Sequence, residues 1–343
     1  MEHAERVSVL QQQIKLVKRP VGLPRKEDFE FIQVPIDQPA EGEVLVRTVY
    51  ISVDPYLRGR MNDTKSYIAP FKLDSVIASG VIAQVVESKS PQFQKNDIVI
   101  GSLGWQQYSV VQDSMIRKID ANLAPASAYL SVLGMTGLTA YFGLLDIGQP
   151  KKGETVVVSG AAGAVGSIVG QIAKIKGAHV VGIAGSDEKV KYLKEELGLD
   201  AAINYKTEDV RIALGKACPN GIDVYYENVG GEIADAVFPL LNKFARIPVC
   251  GAISAYNTEG PDIGPRVQSY LIKTSSLMKG FTVSDYASRF QEGTEALAGW
   301  LQEGKLQYEE TVTDGFDQTI DAFLDLFVGA NLGKALVKVS EIE

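Results

Sequence analysis

Thr155-Val156-Val157-Val158-Ser159-Gly160-Ala161-Ala162-Gly163-Ala164-Val165-Gly166 decides the fold. It runs from an apolar strand through a turn of small residues into a helix start. A turn with almost no side chains lets backbone N–H groups approach a diphosphate at a helix N-terminus. The Gly-x-Gly-x-x-Gly fingerprint is imperfect, because Ala161 takes the first glycine position and Gly163 and Gly166 the other two. Context adds weight: a strand precedes, a helix follows and a second strand arrives on schedule. The alternative is a tight structural turn. Ser167, not Lys, comes after Gly166, so no Walker pattern is present.

Outward from this turn, strands and helices alternate from Lys151 onward. Val165, Ile168, Val169, Ile172 and Ile175 keep close to helical spacing, and Gly177 behind Lys174 and Lys176 marks a helix end. The pattern predicts strand 179–184, helix 187–197, strand 201–204, helix 208–217, strand 222–227, helix 232–241 and strand 245–250. Such alternation gives a doubly wound parallel sheet with helices on both faces. Residues 257–276, with Pro261, Gly264 and Pro265, read as a long loop. Strand 278–283 and helix 286–303 follow. Residues 28–120 read differently, as short strands (43–51, 81–87, 97–101) between turns, hence a mostly β, barrel-like domain. The tail strand 334–339 has no helix after it and is expected to rejoin that barrel.

The end of the second strand chooses the cofactor. An Asp or Glu there usually serves the ribose diol of NAD. The chain reads Gly185-Ser186-Asp187-Glu188-Lys189 instead. Ser186 and Lys189 suit a 2′-phosphate by hydrogen bond and charge, which favours NADP. Alternatively Ser186 is only an N-cap and Lys189 a solvated charge, or Asp187 serves a ribose after a shift of the turn.

Composition narrows the classes. The 343 residues carry 34 basic and 42 acidic side chains, a net charge of −8, which argues against nucleic-acid binding. No apolar run reaches membrane-spanning length, and residues 1–19 lack the apolar core of a secretory signal. Cys218 and Cys250 are the only cysteines, which with the leader reading points to a reducing, cytoplasmic setting. His3 and His179 are the only histidines; four such scattered residues cannot build the usual Cys/His zinc sites.

Several motifs occur in order: Asp54-Pro55-Tyr56-Leu57-Arg58, Ala161 to Gly166, Gly185 to Lys189, Asn204-Tyr205-Lys206, Glu227-Asn228-Val229-Gly230-Gly231, Cys250-Gly251-Ala252-Ile253-Ser254 with Tyr256-Asn257, and Asn331-Leu332-Gly333-Lys334. Over nearly its full length the chain resembles the zinc-free medium-chain reductases of the prostaglandin reductase and alkenal double-bond reductase group. Bacterial curcumin-type reductases belong to the same group. The resemblance implies a GroES-like barrel (1–132 and 309–343) around a Rossmann NADP-binding domain (133–308), and a homodimer. Ala78-Ser79-Gly80 and Ser52-Val53-Asp54 then stand where zinc-containing relatives carry ligands, so no metal is expected. It further implies that Lys189 and Tyr205 hold the 2′-phosphate, with Ser186 and Gly185 beside them. Gly163, Ala164, Val165 and Gly166 would lie under the diphosphate. Asn228, Cys250, Gly251, Ala252, Ile253, Ser254, Tyr256, Phe281, Thr282, Val283 and Asn331 would line the rest of the cofactor. Met135 and Thr136 would sit by the nicotinamide, with Met135 reaching the substrate.

The expected reaction is hydride transfer from NADPH to the β-carbon of an α,β-unsaturated ketone or aldehyde. Charge then builds on the carbonyl oxygen as an enolate, and a hydrogen-bond donor there lowers the barrier. Tyr256 is the candidate donor; the alternative is a loop anchor. Tyr56 is a candidate substrate contact, or else barrel core. Tyr67, Phe71 and Trp105 either line an apolar pocket or fill the barrel. An NADPH quinone reductase is the nearest competing function. A non-catalytic NADP-binding protein is the competing reading from another class.

Overall fold

The computed structural model describes residues 9–343. His3 lies outside the described residues, as does the beginning of both the expected barrel domain and the segment read for a secretory signal. The chain divides into two compact units. The first holds the described residues up to Leu130 with Val312–Val328 and Ala335–Glu343; the second holds Ser131–Thr311 and Gly329–Lys334. The resemblance puts Gly329–Lys334 with the barrel, whereas here it groups with the second unit. Main-chain pairing explains the difference: Gly333 N–H donates to the Ala162 carbonyl at 2.8 Å, and Gly163 and Gly333 form a parallel bridge.

The first unit is built mainly of strands: β1 (Leu10–Leu16), β2 (Phe29–Pro35), β3 (Glu43–Ser52), β4 (Ser75–Val76), β5 (Ala78–Ser88), β6 (Ile98–Gly104), β7 (Tyr108–Gln112) and β8 (Ile116–Lys118). A short helix α1 (Leu57–Arg60) follows β3. Late in the chain come β15 (Glu310–Asp314), α9 (Thr319–Asp325) and β16 (Lys334–Lys338). The larger sheet runs β15-β16-β3-β5-β6-β8, with β7 also on β3; the smaller runs β2-β1-β4. β3 is the organising strand, antiparallel to β5 (Arg47↔Gln84), β7 (Val44↔Val111) and β16 (Ile51↔Val337). The tail strand therefore does rejoin this unit. Trp105 is fully buried, meets the Phe323 ring edge-on at 5.9 Å and donates from Nε1 to Ser79 Oγ. Phe71 is also buried, under the Arg60 guanidinium, whereas Tyr67 is 70% exposed. Trp105 and Phe71 are core, each worth roughly 2–3 kcal/mol of burial.

The second unit has a parallel sheet of β9 (Thr155–Ser159), β10 (His179–Ala184), β11 (Ala201–Asn204), β12 (Ile222–Tyr226), β13 (Leu241–Val249) and β14 (Leu277–Gly280). Its order is β11-β10-β9-β12-β13-β14. Every residue of β9 is buried, as expected of a strand covered on both faces. The helices are α2 (Met135–Phe142), α3 (Gly166–Ile175), α4 (Asp187–Lys191), α5 (Val210–Ala217), α6 (Gly231–Val237), α7 (Gln268–Thr274) and α8 (Phe290–Gln302). Several expected bounds shift for local reasons. α5 begins at Val210 because Asp209 accepts the Ile212 N–H. α6 gives way at Phe238 to a 3-10 turn, Phe238–Leu240, because Pro239 has no N–H to continue the α-helical hydrogen bonds. The expected loop 257–276 contains α7, closed by Ser275 in the left-handed region at φ 52°. β14 ends at Gly280 because Thr282 and Asp285 form a capping box that starts a 3-10 segment, Val283–Arg289. Among the described residues no helix is long and apolar enough to cross a membrane.

Candidate functional site

The turn after β9 is shaped by backbone contact. A Cβ on Gly166 would stand 2.2 Å from the Gly160 carbonyl oxygen, so only glycine fits. Gly163 is less demanding, with 3.3 Å to the same oxygen. At the start of α3 the Ser167 and Ile168 N–H groups go to the Gly163 and Val165 carbonyls, and the helix N-terminus carries partial positive charge. Ala164, Val165 and Gly166 lie at that end, as the fingerprint requires.

β10 leads to the second cluster. Ser186 caps α4 by accepting the Lys189 N–H at 3.2 Å. The Tyr205 ring lies over Gly185, where a Cβ would meet it at 2.9 Å. Lys189 Nζ donates to the Gly329 carbonyl at 2.7 Å. Burial, and then the charge of Lys206, pull the Lys189 ammonium below its ordinary pKa. Asp187 accepts from Asn204 Nδ2 at 2.7 Å, which ties its carboxylate to β11. The strand tip thus offers an anion two neighbouring lysines against the charge of Glu188, while Asp187 is already engaged. A 2′-phosphate fits this donor set better than a bare ribose diol.

Two further turns meet behind β12. Gly251 and Cys250 donate main-chain N–H to the Glu227 carbonyl, Ile253 to Asn228, and Ser254 to Val229. Asn228 reaches back through Nδ2 to the Ser159 carbonyl at 2.8 Å. The group organising both turns is the Glu227 carboxylate, buried in the strand end. Its Oε1 accepts Ser159 Oγ at 3.0 Å, Val229 N at 2.8 Å and Gly230 N at 2.7 Å. Sequence reasoning missed this role, because the acid reads as the last residue of a strand. Tyr256 closes the second turn: its hydroxyl accepts the Ala252 N–H at 3.3 Å.

The Cys250 thiol is pushed up to about 12 by burial and contacts the Tyr226 hydroxyl, which in turn donates to the Thr139 carbonyl. The Phe281 ring meets Tyr226 edge-on at 6.5 Å. Thr282 serves the capping box, and Val283 begins the segment it caps. Thr136 Oγ1 donates to the Ser131 carbonyl at 3.0 Å, while Met135 at the start of α2 is 39% exposed. Asn331 donates to the Gly333 carbonyl at 2.9 Å, next to the Gly163 bridge. Tyr56 belongs to the first unit, where burial and the Asp54 carboxylate push its phenol well above the ordinary range. In the same unit Ser52 donates to Asp54, Ser79 Oγ to the Ser52 carbonyl and Trp105 to Ser79. Among the described residues no cluster of three or more His, Cys, Asp or Glu could hold a metal ion.

Comparison with known proteins matches residues 12–119 to the N-terminal domain of oxidoreductase and residues 164–299 to zinc-binding dehydrogenase. The chain is 67% identical to YfmJ of Bacillus subtilis (strain 168), over 96% of this chain and 98% of that protein. It is 46% identical to the NADPH-dependent curcumin reductase of Escherichia coli (strain K12), over 95% and 96%. It is 45% identical to prostaglandin reductase 1 of Bos taurus, over 94% and 97%. The crystal structure of CurA from Vibrio vulnificus in complex with NADPH superposes with a TM-score of 0.91 at 45% identity, covering 96% of this chain and 99% of that one.

Proposed function

The chain belongs to the curcumin, prostaglandin and alkenal reductase group of medium-chain NADP-dependent oxidoreductases, and on that premise we propose that it reduces the C=C bond of α,β-unsaturated ketones and aldehydes. Its cofactor is NADPH. The fold is the two-domain arrangement of that group, a GroES-like domain and a Rossmann-like domain.

Lys189, Tyr205 and Ser186 would hold the 2′-phosphate, the α3 N-terminus with Gly163 and Gly166 the diphosphate, and the 228–231 and 250–256 turns the remainder. Bound there, NADPH supplies the hydride. The observation that carries the enone reading is Tyr256. Its hydroxyl is set by the Ala252 amide at the end of the turn that Glu227 organises. Accepting that N–H polarises the phenolic O–H and makes it a stronger donor. It is then the group to meet the carbonyl oxygen as negative charge develops there. Tyr56 stays a neutral phenol in its buried place and serves the substrate by contact or hydrogen bond. A homodimer has a candidate surface in the open edge of β14, where Leu277 is 52% exposed. The two unpaired cysteines suit a reducing, cytoplasmic compartment.

NADPH consumption measured with an enal, an enone and a quinone tests the proposal. Turnover of the enal and enone is expected. Turnover of the quinone alone would replace the reading with a quinone reductase. Tight NADPH binding with no acceptor consumed would leave a non-catalytic binding protein.

A further inference from the structure

Gly329–Lys334 crosses the dinucleotide turn and is fastened along its length. Gly333 N–H reaches Ala162 O, Lys334 N–H reaches Glu309 O, and Leu332 exchanges two hydrogen bonds with Thr311 Oγ1, at 2.9 and 2.8 Å. At its start the Gly329 carbonyl accepts from Lys189 Nζ. One strap thus touches both places where phosphate charge is expected, the Gly163 turn and the Lys189 ammonium.

We propose that Gly329 is a specificity-determining residue, which aims Lys189 at the 2′-phosphate and leaves room for it. The inference rests on Lys189 being the 2′-phosphate ligand. An ammonium has three donors; the carbonyl takes one and fixes the direction of the other two. Glycine matters here twice. Its φ is +70°, a conformation few L residues adopt, and a Cβ at this position would stand 3.5 Å from Lys189 Nζ. Any longer side chain enters the space around the ammonium. Lys206 also bears on that ammonium, Asp187 is held by Asn204, and Glu188 is the acid whose charge partly offsets Lys206.

Dissociation constants for NADP⁺ and NAD⁺, measured by calorimetry, test this on three variants. Asp and Asn both tolerate positive φ, so Gly329→Asp and Gly329→Asn differ chiefly in charge. Gly329→Asp is expected to weaken NADP⁺ by about a hundredfold and NAD⁺ by less than about twofold, because a carboxylate beside Lys189 repels the phosphate. Gly329→Asn is expected to weaken NADP⁺ by about tenfold and to leave NAD⁺ within about twofold, because its side chain takes up the phosphate's room without repelling its charge. Equal loss of both cofactors in Gly329→Asp would overturn the proposal and leave Gly329 a purely structural residue. Lys189→Ala separates the two layers: an unchanged NADP⁺/NAD⁺ ratio there removes the 2′-phosphate assignment itself. Hydrogen exchange of wild-type peptides over 329–334 needs no variant. Greater protection at saturating NADP⁺ than at saturating NAD⁺ is expected, and equal protection counts against the strap.

Discussion

Tyr256 and Gly166 illustrate two kinds of dependence on a single residue. Tyr256 is proposed to act through one hydroxyl, whose removal leaves the ring in place. Tyr256→Phe should therefore lower kcat for an enone by about tenfold to a hundredfold while NADPH affinity changes by less than about threefold. Unchanged kcat would end the donor role. Gly166 matters through an absent atom. A methyl there meets the Gly160 carbonyl at 2.2 Å, so Gly166→Ala should lower stability by about 2–4 kcal/mol and disturb cofactor binding with it. Denaturant unfolding reads the first effect and calorimetry the second. Gly163→Ala, with 3.3 Å of clearance, should cost much less. Both glycines were legible in the sequence; which of them is indispensable was not, because that depends on where a distant carbonyl points.

Among the elements, the junction of β9, β12 and the 227–231 turn carries the most polar traffic. Glu227→Ala would leave three donors without their acceptor and should destabilise by about 3 kcal/mol, whereas Glu227→Gln, which keeps an oxygen, should cost about 1 kcal/mol. Thermal unfolding of the two variants checks the ordering, and equal losses would refute the role of the oxygen. β10 and β11 were readable because they are short, apolar and follow glycine, and they match their expected limits, whereas β13 starts at Leu241, four residues before its expected start, because its first half is polar. α7 was hidden by Pro261, Gly264 and Pro265, which announce a loop but stop short of Gln268. The work of Glu227 was hidden for a different reason. Its partner Ser159 is distant in sequence, and only the adjacency of β9 and β12 brings them together.

At the scale of the whole molecule, acid stability follows from a few depressed carboxylates. Burial alone would raise Glu154, but Arg246 and the Lys151 amide outweigh it and hold the group below its ordinary value. Burial would likewise raise Asp200, and the Val180 amide with Lys174 reverses that. A folded-state pKa below the unfolded one means stabilisation that is present above the unfolded value, about 4, and lost as pH falls through the folded value. Tm should therefore drop between about pH 5 and pH 3, and Arg246→Ala should flatten that drop. An unchanged pH profile in Arg246→Ala would remove Glu154 from the account. The division into a barrel unit and a parallel-sheet unit was legible from the change in pattern at Lys151. The crossing of Gly329–Lys334 was not, since nothing in Asn331-Leu332-Gly333 says which of two sheets it will join.

The pairing of β3 with β16 sets a timetable for biosynthesis. Ile51 lies opposite Val337, so this end of the strand at the centre of the larger sheet waits until Val337 has been translated. The parallel-sheet unit, encoded mostly between them, can condense while still tethered to the ribosome. The barrel unit spends that interval with the Tyr50–Ser52 end of β3 uncovered on one side, its Glu43–Arg47 stretch being already paired with β7, and chains that stall or are clipped just short of Lys334 should be handed to chaperones and proteases as incomplete.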